Sequence, residues 1–240
     1  MILCLDAGNS RLKWGLYEHS HWHAQGVLGH AEIGSLGNRL TARPTQMIAC
    51  NVAGPSVRDQ LAGLAADLKI PLRWLISSPT ACGVTNRYDH PAQLGADRWA
   101  ALIGARALHP GPSLVVMAGT ATTIDQLDAE GVFRGGLILP GLELMRTALA
   151  GNTANLPLAA GLYQNTPRNT DDAIVSGSLH ATLGAIQRMR DALDPRTSVL
   201  LSGGAAEPLA GHIDEPVLRV ENLVLEGLAR YADYPPLENS

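Results

Sequence analysis

Asp6-Ala7-Gly8-Asn9-Ser10-Arg11-Leu12-Lys13 decides how this chain reads, because nearly the same message returns at Ala118-Gly119-Thr120-Ala121-Thr122-Thr123. Each stretch follows an apolar run, Ile2 to Leu5 in the first case and Leu114 to Met117 in the second. Each then leads into more strand-like sequence. A strand that ends in a small-Gly-polar turn and returns as a second strand makes a hairpin with exposed backbone N–H groups. Such a concave set of N–H groups and hydroxyls binds phosphate. Ala7 and Ala118 lie 118 − 7 = 111 positions apart, nearly half of the 240 residues. The spacing points to a duplicated fold with one phosphate loop per half, facing each other across a cleft.

Working outward, three strands followed by helices and further strands occur in each half. We expect residues 2–6, 11–17 and 21–27 as strands, then 47–50, a helix over Val57 to Leu68 with Ser56 as N-cap, and a strand over Leu72 to Ile76. Ser77 to Leu94 reads as one long loop, rich in Pro, Thr, Asn and Gly. A helix fits Asp97 to Leu108, and His109-Pro110-Gly111-Pro112 ends it. The second half repeats the order: strands near 113–117, 122–127 and 132–139, a helix from Pro140-Gly141, a polar loop to Thr170, a long helix to Leu193, a strand at 199–201 and a helix from Asn222 to Tyr231. The fold class is α/β, two related lobes each with a mixed sheet flanked by helices, divided at 1–112 and 113–240.

Composition narrows the function classes. Hydrophobic residues at 46% and charged residues at 17% describe a globular core and exclude a disordered chain. The net charge of −4 offers no electrostatic footprint for nucleic acid. Cys4, Cys50 and Cys82 are odd in number and widely spaced, so a reducing cytoplasm is the expected home. The start Met1-Ile2-Leu3-Cys4-Leu5-Asp6 has no basic region and does not read as a signal peptide. No apolar run approaches the roughly 18 residues that span a bilayer, so no membrane partner is expected.

The charged residues around the first turn carry chemistry. Asp6 at a strand end can hold Mg²⁺, directly or through water, near nucleotide phosphates, and Lys13 can reach a β- or γ-phosphate. The plain alternative is a hairpin whose Asp and Gly serve turn geometry. Gly95-Ala96-Asp97-Arg98 opens a helix. Asp97 is there either an N-cap or a base that takes a proton from a hydroxyl, with Arg98 holding an anion nearby. Gly135-Gly136 ahead of Pro140-Gly141 either lets a flat adenine or ribose lie against backbone or bends the strand into a helix. His19, His21 and His23 share a strand face without a completing ligand and read as solvated. Signatures of P-loop, Rossmann and Ser-hydrolase sites are absent.

Taken together, these motifs resemble type III pantothenate kinase, a family of the acetate and sugar kinase/actin ATPase superfamily, with its duplicated ribonuclease H-like fold. The resemblance rests on residues 6–13, Asn86-Arg87-Tyr88, Gly95 to Arg98, Gly119 to Asp125, Gly135-Gly136 to Pro140-Gly141, and Asn169-Thr170 to Ser176-Gly177. It implies transfer of the γ-phosphoryl of ATP to the primary hydroxyl of pantothenate, the first step of coenzyme A synthesis, in a cytoplasmic homodimer. It implies that Asp6, Ala7, Gly8, Asn9, Ser10, Arg11, Leu12, Lys13 and Thr120 contact ATP with Mg²⁺. It also implies that Tyr88, Gly95, Ala96, Asp97, Arg98 and Thr170 contact pantothenate, with Asp97 as general base and Arg98 facing the substrate carboxylate. The family commonly carries an Asp, a ligand for K⁺ or NH₄⁺, where this chain has Met117; a thioether suits a hard cation poorly. The competing readings are a kinase of another small hydroxyl substrate, a non-catalytic nucleotide-binding regulator, and an ATPase or phosphatase on the same fold.

Overall fold

The computed structural model describes residues 1–234. In chain order its first elements are β1 (Ile2–Ala7), β2 (Leu12–Glu18), β3 (His21–Leu28), β4 (Gln46–Asn51), α1 (Pro55–Leu68), β5 (Leu72–Trp74), β6 (Thr80–Ala81), β7 (Val84–Asn86) and α2 (Ala96–Leu108). Then follow β8 (Ser113–Ala118), β9 (Ala121–Leu127), β10 (Val132–Pro140), α3 (Leu142–Asn152), α4 (Thr170–Arg190), β11 (Ser198–Ser202), α5 (Ala206–Ala210), β12 (Val217–Arg219) and α6 (Leu223–Ala232).

Two compact units emerge. One holds Met1–Pro110, Gly131–Phe133 and the segment from Asn222; the other holds Gly111–Glu130 and Arg134–Glu221. The units therefore part at Pro110 and Gly111, within the Pro/Gly cluster, but the first takes back two later pieces of chain. The sheet of the first unit runs β3-β2-β1-β4-β5. Within the second unit the strands run β10-β9-β8-β11-β12, which is the same order with every strand replaced by its counterpart. In both, the first two strands pair antiparallel and the first pairs parallel with the fourth. This is the duplicated fold expected from the two turns.

Sequence explains the elements well. β1 and β8 are central and nearly continuously apolar, as strands covered on both faces must be. The first core gathers Leu3, Leu5, Leu12, Leu16 and Met47 against Leu61 and Leu64 of α1. The second gathers Leu114, Val116, Ile124, Val199 and Leu201 against Leu179 and Ile186 of α4. Each such side chain stabilises by about 1.5–3 kcal/mol on burial.

Some expectations need correction. α1 has Gly54 at its N-cap, not Ser56: Gly54 adopts φ 96°, and Pro55 then starts the helix with its preset φ. The loop expected over Ser77 to Leu94 contains the β6–β7 hairpin and a short 3₁₀ turn at Pro91–Gln93. That hairpin turns on Cys82 and Gly83 at φ 51° and 77°, a twist that a non-glycine residue conceals in sequence. Pro140 ends β10 and does not open α3, whose N-cap is Gly141. A 3₁₀ stretch over His30–Arg39, together with α5 and β12, lacked a strong periodic signal.

α6 lies against α2 in the first unit with almost no room between them. A Cβ on Gly227 would drive into the Ala100 carbonyl, and one on Gly104 into the Leu223 carbonyl. That close packing fixes α2, the helix whose first turn carries Asp97 and Arg98.

Candidate active site

The first turn spans residues 8–11. Asp6 sits opposite Lys13 and Ala7 opposite Leu12 across the hairpin, and the Gly8 N–H donates to the Arg11 carbonyl at 3.2 Å. The Ala7 carbonyl accepts from the Val52 N–H at 3.0 Å, and His30 Nε2 lies 3.0 Å from the Gly8 carbonyl. Ala7 and Leu12 are buried, so they offer a ligand only backbone, while Asn9, Ser10 and Arg11 are exposed. A Cβ on Gly8 would meet nothing nearer than the Arg11 carbonyl, at 3.5 Å. That is ordinary van der Waals contact, so nothing in the fold crowds this position.

Asp6 is 7% exposed, and burial pushes its carboxyl pKa up to about 6; Lys13 pulls it down, the Asp97 carboxylate pushes it further up, and the Cys50 thiol lowers it. Cys50 Sγ donates to Asp6 Oδ1 at 3.6 Å from the neighbouring parallel strand β4. Lys13 and Asp97 thus both lie within electrostatic range of Asp6. Among the described residues no group of three His, Cys, Asp or Glu side chains could enclose a metal. A single hard carboxylate still fits Mg²⁺, which keeps waters and takes substrate phosphates as its other ligands.

Only residues 119 and 120 join β8 to β9. The Gly119 N–H donates to the Ala121 carbonyl at 3.1 Å, and a Cβ on Gly119 would approach that carbonyl to 3.5 Å, the same distance as at Gly8. The second turn is gripped from outside. The Gly141 N–H donates to the Thr120 carbonyl at 2.9 Å, and the Ala205 N–H to the Ala118 carbonyl at 3.0 Å. A Cβ on Gly141 would collide with the Gly119 and Thr120 carbonyls, and one on Gly203, at φ 108°, with the Ala118 carbonyl. Thr120 is exposed. Met117, half-buried, pairs with Thr123, whose hydroxyl is buried without a hydrogen-bond partner. Of the glycine pair in β10, Gly136 is packed so closely that a Cβ would strike Asp125, whereas Gly135 faces open space.

The acceptor residues gather at the start of α2. Gly95 is the N-cap and Asp97 lies inside the first turn, so the N-cap alternative for Asp97 does not hold. The Arg98 N–H donates to Asp97 Oδ1 at 2.8 Å, and a Cβ on Gly95 would come within 2.7 Å of the same oxygen. Gly95 therefore leaves the room in which the carboxylate folds back over the helix end, where the macrodipole favours negative charge. Asp97 is half-buried and Arg98 only 5% exposed. Arg98 Nη1 donates to Tyr88 Oη at 3.0 Å, and the guanidinium lies 5.6 Å from the Tyr88 ring centroid and 5.9 Å from that of Phe133. Tyr88, Gly95, Ala96, Asp97 and Arg98 thus share one cluster in the first unit. Thr170 belongs to the second unit, where it opens α4 after the Asn169 cap and lines an apolar groove of about 930 Å³ with Leu144, Met145 and Ile174.

A family model of type III pantothenate kinases matches residues 2–192. The chain belongs to the type III pantothenate kinase family. A type III pantothenate kinase of Aromatoleum aromaticum is 54% identical over 233 residues, covering 95% of this chain and 96% of that one. Another, of Dechloromonas aromatica, is 49% identical and covers 97% and 99% of the two chains. Among solved structures, a Baf-family protein of Campylobacter jejuni superimposes with a TM-score of 0.62 at 22% identity, covering 95% of this chain and 96% of that one. An activator of a 2-hydroxyisocaproyl-CoA dehydratase from Clostridium difficile reaches a TM-score of 0.54 at 10% identity, over 96% and 95% of the chains. These two likenesses show the shared fold.

The structure brings residues to these clusters that sequence reasoning missed. Cys50 touches Asp6, Gly141 and Gly203 hold the second turn, and Phe133 faces Arg98. For Gly141 and Gly203 the small-residue motifs were visible but not their target. For Cys50 and Phe133 only the strand register reveals the contact.

Proposed function

We propose that this enzyme transfers the γ-phosphoryl group of ATP to the primary hydroxyl of pantothenate, giving phosphopantothenate for coenzyme A synthesis. The observation that carries the reading is the family match across residues 2–192, which encloses the Asp6, Asp97 and Thr120 motifs. In this reading residues 6–13 and Thr120 contact ATP, with Lys13 neutralising charge on its phosphates. Asp6 would hold Mg²⁺ through its carboxylate or a bound water, and the ion would supply further charge neutralisation. Arg98 and Tyr88 orient the acceptor through its carboxylate, joined by Gly95, Ala96 and Thr170.

The substrate hydroxyl oxygen then forms a bond to the γ-phosphorus as the bond to the bridging oxygen of ADP breaks, and Asp97 takes the hydroxyl proton. In a loose transition state the alcohol needs little activation, so positioning and charge neutralisation carry most of the rate. The half-buried Asp97 beside Arg98 suits such late proton transfer.

We also propose that the enzyme works in the cytoplasm as a homodimer and has no monovalent-cation ligand at Met117. Three free cysteines suit a reducing compartment. No helix among the described residues is long and apolar enough to cross a membrane. Light scattering on the purified protein checks the dimer. Incubation with ATP, Mg²⁺ and pantothenate tests the reaction itself: a product heavier than pantothenate by one phosphoryl group is expected, and ATP hydrolysis without that product would overturn the reading.

A further inference from the structure

We infer that Phe133 is a positioning residue of the acceptor site: with Tyr88 it fixes the plane of the Arg98 guanidinium so that Arg98 can grip the carboxylate of the acceptor. The inference rests on the function proposed above and deepens it.

Phe133 is the one phenylalanine in 240 residues, and it is fully buried. It enters the first unit on the opening residues of β10, which pair with β7 so that Phe133 lies beside Asn86 and Val132 beside Thr85. Asn86 in turn sets the loop that carries Tyr88. Its Oδ1 accepts the Tyr88 N–H at 3.0 Å, and its Nδ2 donates to the Pro91 carbonyl at 3.1 Å. One strand pairing therefore orients both rings, whose centroids lie 5.2 Å apart at 45°. The Arg98 guanidinium stands within cation–π distance of each ring while Nη1 donates to Tyr88 Oη.

A guanidinium recognises a carboxylate through two parallel N–H bonds only when its plane is aligned with the carboxylate plane. An arginine free to rotate must lose that freedom on binding, whereas a stacked one has already lost it. The Phe133 face also keeps water from the arginine without offering a competing acceptor. An aliphatic side chain in place of Phe133 would keep the apolar burial and lose the face that orients the cation.

Steady-state kinetics of Phe133→Leu test this, with pantothenate and with an analogue whose carboxylate is replaced by a primary alcohol. The KM for pantothenate should rise about tenfold, with kcat within about threefold and the KM for ATP within about twofold. The KM for the uncharged analogue should stay within about twofold, because it has no carboxylate for Arg98 to align. In an Arg98→Lys background, where the fork is already gone, Phe133→Leu should add less than about threefold. Equal losses for both acceptors, or an unchanged pantothenate KM, overturns the inference while wild-type turnover leaves the kinase reading standing. Failure of the wild type to phosphorylate pantothenate overturns both. If Phe133→Leu does not fold, Phe133→Met fills the same volume without a ring and carries the same expectations.

Discussion

The two hairpin turns hold matching places in the repeat and differ in length and in charge: residues 8–11 make the first, residues 119 and 120 the second. Each ends a buried strand on an alanine, each closes with a glycine N–H donating to a carbonyl across the turn, and a Cβ on either glycine would stand an uncrowded 3.5 Å from that carbonyl. The residue before the alanine is Asp6 in the first and Met117 in the second, and the cross-strand partners are Lys13 and Thr123. The first turn thus pairs a buried carboxylate with an ammonium, and the second pairs a thioether with a hydroxyl. Duplication kept a glycine turn in both places and left the charge chemistry, with Asp97 in electrostatic range of Asp6, to the first unit.

The largest test of that division is Asp97→Asn. It should lower kcat by about 10²–10⁴-fold and leave ATP affinity nearly intact. Near-normal turnover, read from initial rates, would remove the general base from the first unit.

Asp6→Asn should lower turnover by about 10²-fold, whereas Met117→Ala should cost less than about fivefold. A comparable loss from both would erase the distinction between the turns. The Asp6 change should also reveal a stability cost. Burial raises the folded-state pKa from 3.8 to about 6, so the folded protein holds this proton more tightly than the unfolded chain. Stability from this group is full below the unfolded value and is lost as pH rises through about 6. A difference of about two units corresponds to about 2–3 kcal/mol. In metal-free buffer, Asp6→Asn should therefore be about 2 kcal/mol more stable than wild type at pH 8, with the gap closing near pH 4. Urea unfolding at both pH values measures it, and a gap independent of pH would contradict the burial argument.

The glycines sharpen the comparison further. Gly141→Ala should destabilise by about 2 kcal/mol or more, because its Cβ has no room beside the second turn. Gly8→Ala should leave thermal stability unchanged within about 2 °C, yet raise the KM for ATP by about tenfold. A Gly8→Ala enzyme with normal ATP affinity would show that no phosphate lies against this turn. The smallest effect concerns Met117. Replacing K⁺ with a bulky organic cation should change the rate by less than about twofold, since the second turn offers a thioether where a hard cation wants oxygen. A large loss of rate would place a cation site on other atoms.

Much of the fold was legible because its signals are local. The strand alternation, the Gly-containing turns and the Pro/Gly break at 109–112 each depend on residues a few positions apart. Legibility failed where backbone conformation or distant pairing decided the outcome. The Cys82-Gly83 hairpin needed a left-handed cysteine, and its strand β7 gains a further neighbour only from β10. From its place at a helix start, Asp97 read either as an N-cap or as a base. Its true position inside the first turn depended on Gly95 serving as the cap.

By itself the sequence determined the two glycine turns, the repeated order of strands and helices, and the charged residues near them. These follow from hydrogen bonding and side-chain spacing over short stretches, where chain connectivity limits the options. Only the tertiary structure decided that Cys50 meets Asp6, that Phe133 and Tyr88 face Arg98, that Gly141 and Gly203 hold the second turn, and that α6 returns to pack on α2. Those contacts join residues distant in sequence through sheet register and close backbone packing, which the burial of a whole core fixes and no local pattern encodes.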